Sequence, residues 1–109
     1  MESRRKAELE KLLRRVNELH ATLESVLDQS LTNPYVDANR YIKQYNQYRN
    51  ETFSLVSDEY IAEILPEMPL YVYSGDDAID VKNVKQQLVD VYLKTSQLVA
   101  YLQNQLEFN

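Results

Sequence analysis

Cysteine and tryptophan are absent, histidine and glycine occur once each, and proline three times in 109 residues. Without cysteine there is no disulfide framework, thiolate zinc site, iron–sulfur cluster or cysteine nucleophile. One histidine excludes a multi-histidine metal site within the chain. One glycine, Gly75, excludes a glycine-rich phosphate loop. No apolar run approaches the ~18 residues of a membrane span. Residues 1–6, Met-Glu-Ser-Arg-Arg-Lys, lead into no apolar stretch and do not read as a signal peptide. The expectation is a cytoplasmic protein with no cofactor, no metal and no membrane contact.

What remains is length, charge and periodicity. The chain has the length of one domain, residues 1–109. The net charge is −5, which argues against general nucleic-acid binding. The sign is uneven: residues 1–15 carry six basic and three acidic groups, and the rest carries six and fourteen.

Scarce glycine and proline favour long helices over strands. Leu9, Leu12, Val16, Leu19, Leu23 and Val26 step by 3 and 4, a heptad seam. Leu13, His20 and Leu27 widen it into the stripe of a bundle helix, predicted over 3–29. Pro34 stops that helix. Asn33 or Asp37 is the candidate cap of a second helix over 37–55, with Ala38, Tyr41, Tyr45, Tyr48, Thr52 and Leu55 in register. The register fails near 54–57. A short helix over 58–65 follows, with Tyr60, Ile61, Ile64 and Leu65 as its stripe and Pro66 as its end.

Residues 66–77 form an extended loop in which Leu70-Tyr71-Val72-Tyr73 has strand composition but no strand to pair with. Ser74 or Asp77 is the candidate cap of a last helix over 78–106. Its seam is Val81, Val84, Leu88, Val91, Thr95, Leu98 and Leu102. Val89, Leu93 and Ala100 make a second apolar row on the opposite side, the mark of a central or shared helix. The fold class is therefore an all-α, elongated antiparallel bundle of three long helices plus a short one.

Three functions compete. The favoured one is a non-catalytic helical module for binding a protein partner or its own copy, a dimer first. Its candidate interface is Val89, Leu93, Ala100, Tyr101, Tyr71 and Tyr73; tyrosine is enriched at interfaces, and nine occur here. Arg4, Arg5, Lys6, Lys11 and Arg15 are a candidate patch for an anion or acidic partner, because positive charge opposes the dipole at a helix start. The second function is a nucleic-acid adaptor, combining that basic end with the row Arg40, Tyr41, Lys43, Tyr45, Tyr48 and Arg49. If the first two helices are antiparallel, however, the two basic groups fall at opposite ends.

The third reading concerns the acids. Asp58-Glu59…Glu63 and Asp77…Asp80 loosely resemble the paired acidic motifs of MazG-type all-α nucleotide pyrophosphohydrolases. The first spacing is one residue longer than in that family, and the second motif has Asp where the family has Glu. The resemblance implies Mg²⁺-dependent nucleotide hydrolysis that Glu63→Gln would abolish. The plainer reading makes these residues caps and first-turn acids on solvated faces. His20 is expected at the bundle boundary.

Overall fold

The computed structural model describes residues 2–29 and 36–108. It is an all-α bundle of α1 (Glu2–Gln29), α2 (Ala38–Val56), α3 (Glu59–Ile64) and α4 (Asp77–Phe108). No strand occurs among the described residues. Pro34 and the candidate cap Asn33 lie outside them. The body measures 51 × 24 × 16 Å, with a radius of gyration of 15.2 Å. A compact chain of this length has about 13 Å, so the molecule is a short rod. No helix among the described residues is long and apolar enough to cross a membrane.

The heptad seams are the core. Leu9, Leu12, Val16, Leu19 and Leu23 of α1 are buried against Val84, Leu88, Val91, Leu98 and Leu102 of α4 and Ala38, Ile42 and Tyr45 of α2. Thr52 and Thr95 are also fully buried. Their hydroxyls donate back to the carbonyls of Tyr48 (2.8 Å) and Val91 (2.7 Å), so neither polar atom is stranded.

α1 runs antiparallel to both other long helices. Lys11 lies beside Ser54 and Leu55, whereas Thr22 lies beside Arg40 and Gln44. Toward α4, Arg5 faces Tyr101 and His20 faces Ser96. His20 occupies the bundle boundary as expected. Its Nε2 and Ser96 Oγ share a 2.7 Å hydrogen bond, and its ring stacks on Tyr92 at 4.6 Å. α2 and α4 are consequently parallel, and the chain must travel back along the rod between them.

The break falls where the register fails. Ser57 ends α2 in the left-handed region (φ 50°), its N–H donating to the Phe53 carbonyl at 2.7 Å. Asp58 then caps α3 by accepting from the Tyr60 N–H. Within α3 only half of the expected stripe is internal: Ile61 and Leu65 are buried, while Tyr60 and Ile64 face solvent. Asp37 caps α2 through the Asn39 N–H. The cap of α4 is neither Ser74 nor Asp77 but Asp76, whose carboxylate accepts from the N–H groups of Ala78 (3.0 Å) and Ile79 (3.3 Å).

Candidate functional site

Residues 66–74 run without a bend from α3 back to the start of α4. A lone extended segment must still find partners for its backbone, and here α2 side chains supply them. Arg49 Nε donates to the Leu65 carbonyl (2.8 Å), and the Tyr45 hydroxyl donates to that of Pro66 (3.1 Å). Asn46 makes a reciprocal pair with Met68: its Nδ2 donates to the carbonyl (2.9 Å) and its Oδ1 accepts from the N–H (2.8 Å). Asn39 repeats the arrangement on Tyr71, at 2.9 and 2.7 Å. Each carboxamide stands in for one residue of a neighbouring strand.

The spacings match. Seven helical residues separate the asparagines, about 10.5 Å at 1.5 Å per residue. Three extended residues separate Met68 from Tyr71, about 10 Å at 3.3 Å each. Neither asparagine stood out in the sequence. The signal available was a pair of asparagines two turns apart on a helix followed by an unpartnered extended run.

The segment ends on Asp80. Its Oδ1 accepts from the Tyr71 hydroxyl (2.6 Å), the Ser74 N–H (2.9 Å) and the Ser74 hydroxyl (3.0 Å), and its Oδ2 from the Gly75 N–H (3.2 Å). The Ser74 N–H and the Tyr71 hydroxyl hold this carboxyl below its ordinary range. Asp80 is buried, so it is not the solvated first-turn acid that its position suggests. Gly75 needs its glycine here, with φ at 89°. Tyr71 is therefore half-buried and tethered rather than freely presented, and its hydroxyl is raised in pKa by the bond to Asp80.

Tyr101 requires a larger correction to the expected interface. It lies off the seam but is buried, because α3 covers that side of α4. Its hydroxyl donates to Asp58 Oδ2 at 2.6 Å. That bond, with the Tyr60 N–H, lowers the Asp58 carboxyl, while burial followed by the Asp58 contact raises the Tyr101 hydroxyl.

The other candidate interface residues divide by exposure. Leu93 is 52% exposed and Ala100 is exposed on the outer side of α4, Val89 is half-buried, and Tyr73 is 49% exposed near the acidic end. Leu93 lines a groove of about 540 Å³ against Pro66, Glu67 and Pro69. Ala100 lines a second hollow of about 280 Å³ against Tyr60 and Ile64 of α3. Gln97 borders both, so they join end to end along α4. From Gln87 to Asn104 the floor is about 26 Å long.

Of the basic patch, Arg4, Lys6, Lys11 and Arg15 are exposed and Arg5 is half-buried. Arg5 Nε is enclosed and makes no hydrogen bond. Lys11 and Arg15 share a pocket of about 280 Å³ with Glu8 and Glu51, which offset them. Antiparallel packing brings Arg15 to Arg40 across a hollow of about 170 Å³ that also holds Glu18, Tyr41 and Tyr48. Arg15 and Arg40 thus border one hollow, while Arg4, Arg5 and Lys6 lie toward the other end of the rod. Of the tyrosine row, Tyr45 is fully buried, and Tyr41 and Tyr48 are half-buried. Arg49 is engaged by Leu65 and by the Asn50 side chain (2.9 Å).

The acidic motifs do not converge. Asp58 binds Tyr101 near one end of α4 and Asp80 lies near the other, roughly 30 Å apart along the helix. Among the described residues no three His, Asp or Glu side chains are grouped to hold a metal ion. No family model, curated protein or solved structure matches the chain significantly.

Proposed function

We propose that this chain is a non-catalytic helical interaction module of the cytoplasm that associates with a second copy of itself along the outer face of α4. The observation that carries this reading is the half-exposed Leu93. It sits mid-groove, on a helix whose opposite side already fills the core. Tyr60 (52% exposed) and Ile64 (45%) extend the apolar surface from α3.

Full burial of such a side chain stabilises by about 1.5–3 kcal/mol, so covering the exposed half of three gives roughly 3 kcal/mol per protomer. A two-fold contact counts this twice. Association costs of about 4–15 kcal/mol offset most of it. The expected species is a reversible, concentration-dependent dimer and not an obligate one.

Light scattering behind size exclusion, over a concentration series, tests this. Wild type should shift toward dimer as concentration rises, and Leu93→Glu should stay monomeric while keeping the same helical circular dichroism. A wild type that remains monomeric at the highest concentration reached, or a dimer indifferent to Leu93→Glu, refutes the assignment.

A further inference from the structure

The return segment has two edges, and only one is in use. The backbones of Met68 and Tyr71 face α2 and are paired with Asn46 and Asn39. Those of Leu70 and Val72 make no hydrogen bond to any described residue. Met68 and Tyr71 are three residues apart, so the segment turns about its axis between them instead of alternating as a strand; from Leu70 to Tyr73 strand alternation places the backbones of Leu70 and Val72 opposite the Tyr71 groups that face α2. The tyrosines confirm a strand-like period locally. The Tyr71 and Tyr73 rings meet edge to face at 4.9 Å, as side chains at i and i+2 on one face do. The side chains flanking the free edge are apolar and open: Leu70 is 47% exposed and Val72 84%.

Charge identifies the kind of partner. Along the segment and the turn that follows it stand Glu67, Asp76, Asp77 and Asp80 and no lysine or arginine, while Lys94 of α4 lies across the groove from Pro66–Pro69. Asp37 and Asp80 act on the Tyr73 hydroxyl, and Asp76 and Asp77 stand at the following turn. A second copy paired antiparallel about Tyr71 would carry Glu67 toward the partner's Gly75 and Asp76, acid against acid. A cationic strand meets no such repulsion.

We infer that the free edge of Leu70–Val72 binds an extended peptide of another protein, with apolar residues at alternate positions and lysine or arginine on both flanks. Binding adds one strand to the edge. The N–H groups of Leu70 and Val72 donate to the peptide, and their carbonyls accept from it. This surface adjoins the groove between Pro66–Pro69 and Leu93 but does not depend on self-association there.

The probe is a short synthetic peptide alternating Val and Thr between lysine pairs, with glutamate-flanked and backbone N-methylated versions as controls. Binding is read by fluorescence anisotropy, and amide hydrogen exchange locates it. The lysine-flanked peptide should bind, weaken with salt, and slow exchange at Leu70 and Val72. Val72→Pro removes an N–H that has no partner among the described residues, so the helical signal should persist while affinity falls about tenfold. Val72→Thr keeps the N–H and should bind like wild type. The inference is overturned by an absence of protection at these two amides, by equal binding of the glutamate-flanked peptide, or by binding that survives Val72→Pro. A peptide-free dimer that Val72→Pro dissociates would overturn it too, and would give the edge to a second copy.

Discussion

Replacing Asn46 with alanine removes both hydrogen bonds that hold Met68. Each contributes about 1 kcal/mol net. Met68 is only 6% exposed, so water cannot readily replace the lost partners. Alanine in turn favours the helix over asparagine by roughly 0.5 kcal/mol. The bonds win, and the expected loss is about 1.5 kcal/mol, or a fall in Tm of roughly 6 °C. Asn39→Ala should cost less, because Tyr71 is half-exposed and its freed groups can be hydrated. The double variant should lose less than the sum, since both asparagines restrain one segment. Urea denaturation gives the global term, and amide exchange at Met68 and Tyr71 gives the local one. Wild-type stability within about 0.5 kcal/mol for Asn46→Ala, together with an unchanged Met68 amide, would refute the claim that the asparagines restrain this segment.

The carboxyls of Asp58 and Asp80 lie below the ordinary 3.8 when folded. Their contribution is complete above that value and is lost as pH falls through it toward the folded values. Asp80→Asn should therefore flatten the acid limb of a stability–pH profile; a limb of unchanged slope would contradict this. On the alkaline side, burial pushes Tyr45 up to about 12 and raises Tyr101. Stability should hold up to the ordinary tyrosine value of 10 and decline as pH climbs toward 12, followed by circular dichroism. Ser57→Gly relieves a left-handed residue and should stabilise by about 0.5–1 kcal/mol in thermal melts; a destabilised variant would mean that the Ser57 side chain has a role of its own.

Helix positions and the core were legible because period 3.6 is a local property. Leu9 to Leu23 and Val84 to Leu102 are buried where their 3–4 steps place them. The break was legible at Ser57 because a new stripe starts out of phase with the old one. Residues whose partners are distant in sequence were not legible. Asp80 looks like any first-turn acid until a turn five residues upstream wraps its N–H groups around it. Tyr101 looks exposed until α3, some forty residues away, covers it. Asn39 and Asn46 lie beside the aromatic stripe and look like solvated polar residues; the extended run they serve lies 32 and 22 residues further on. The interface residues fared unevenly for the same reason. Leu93 and Ala100 remain open because the return segment and α3 flank them across hollows without covering them, whereas Tyr71 is tied to Asp80.

The asparagine pairs also constrain how the length of this fold can change. A helix advances 1.5 Å per residue and an extended chain about 3.3 Å, so α2 and the return segment measure one distance with two rulers that agree at a ratio of seven to three. Lengthening α2 by two turns would preserve every stripe on its surface yet leave the crossing to α4 about 10 Å short. Only three residues added to the loop at the same time would restore both fits. Length changes in α2 and in residues 66–76 are thereby bound together, although no residue of the loop belongs to a helix.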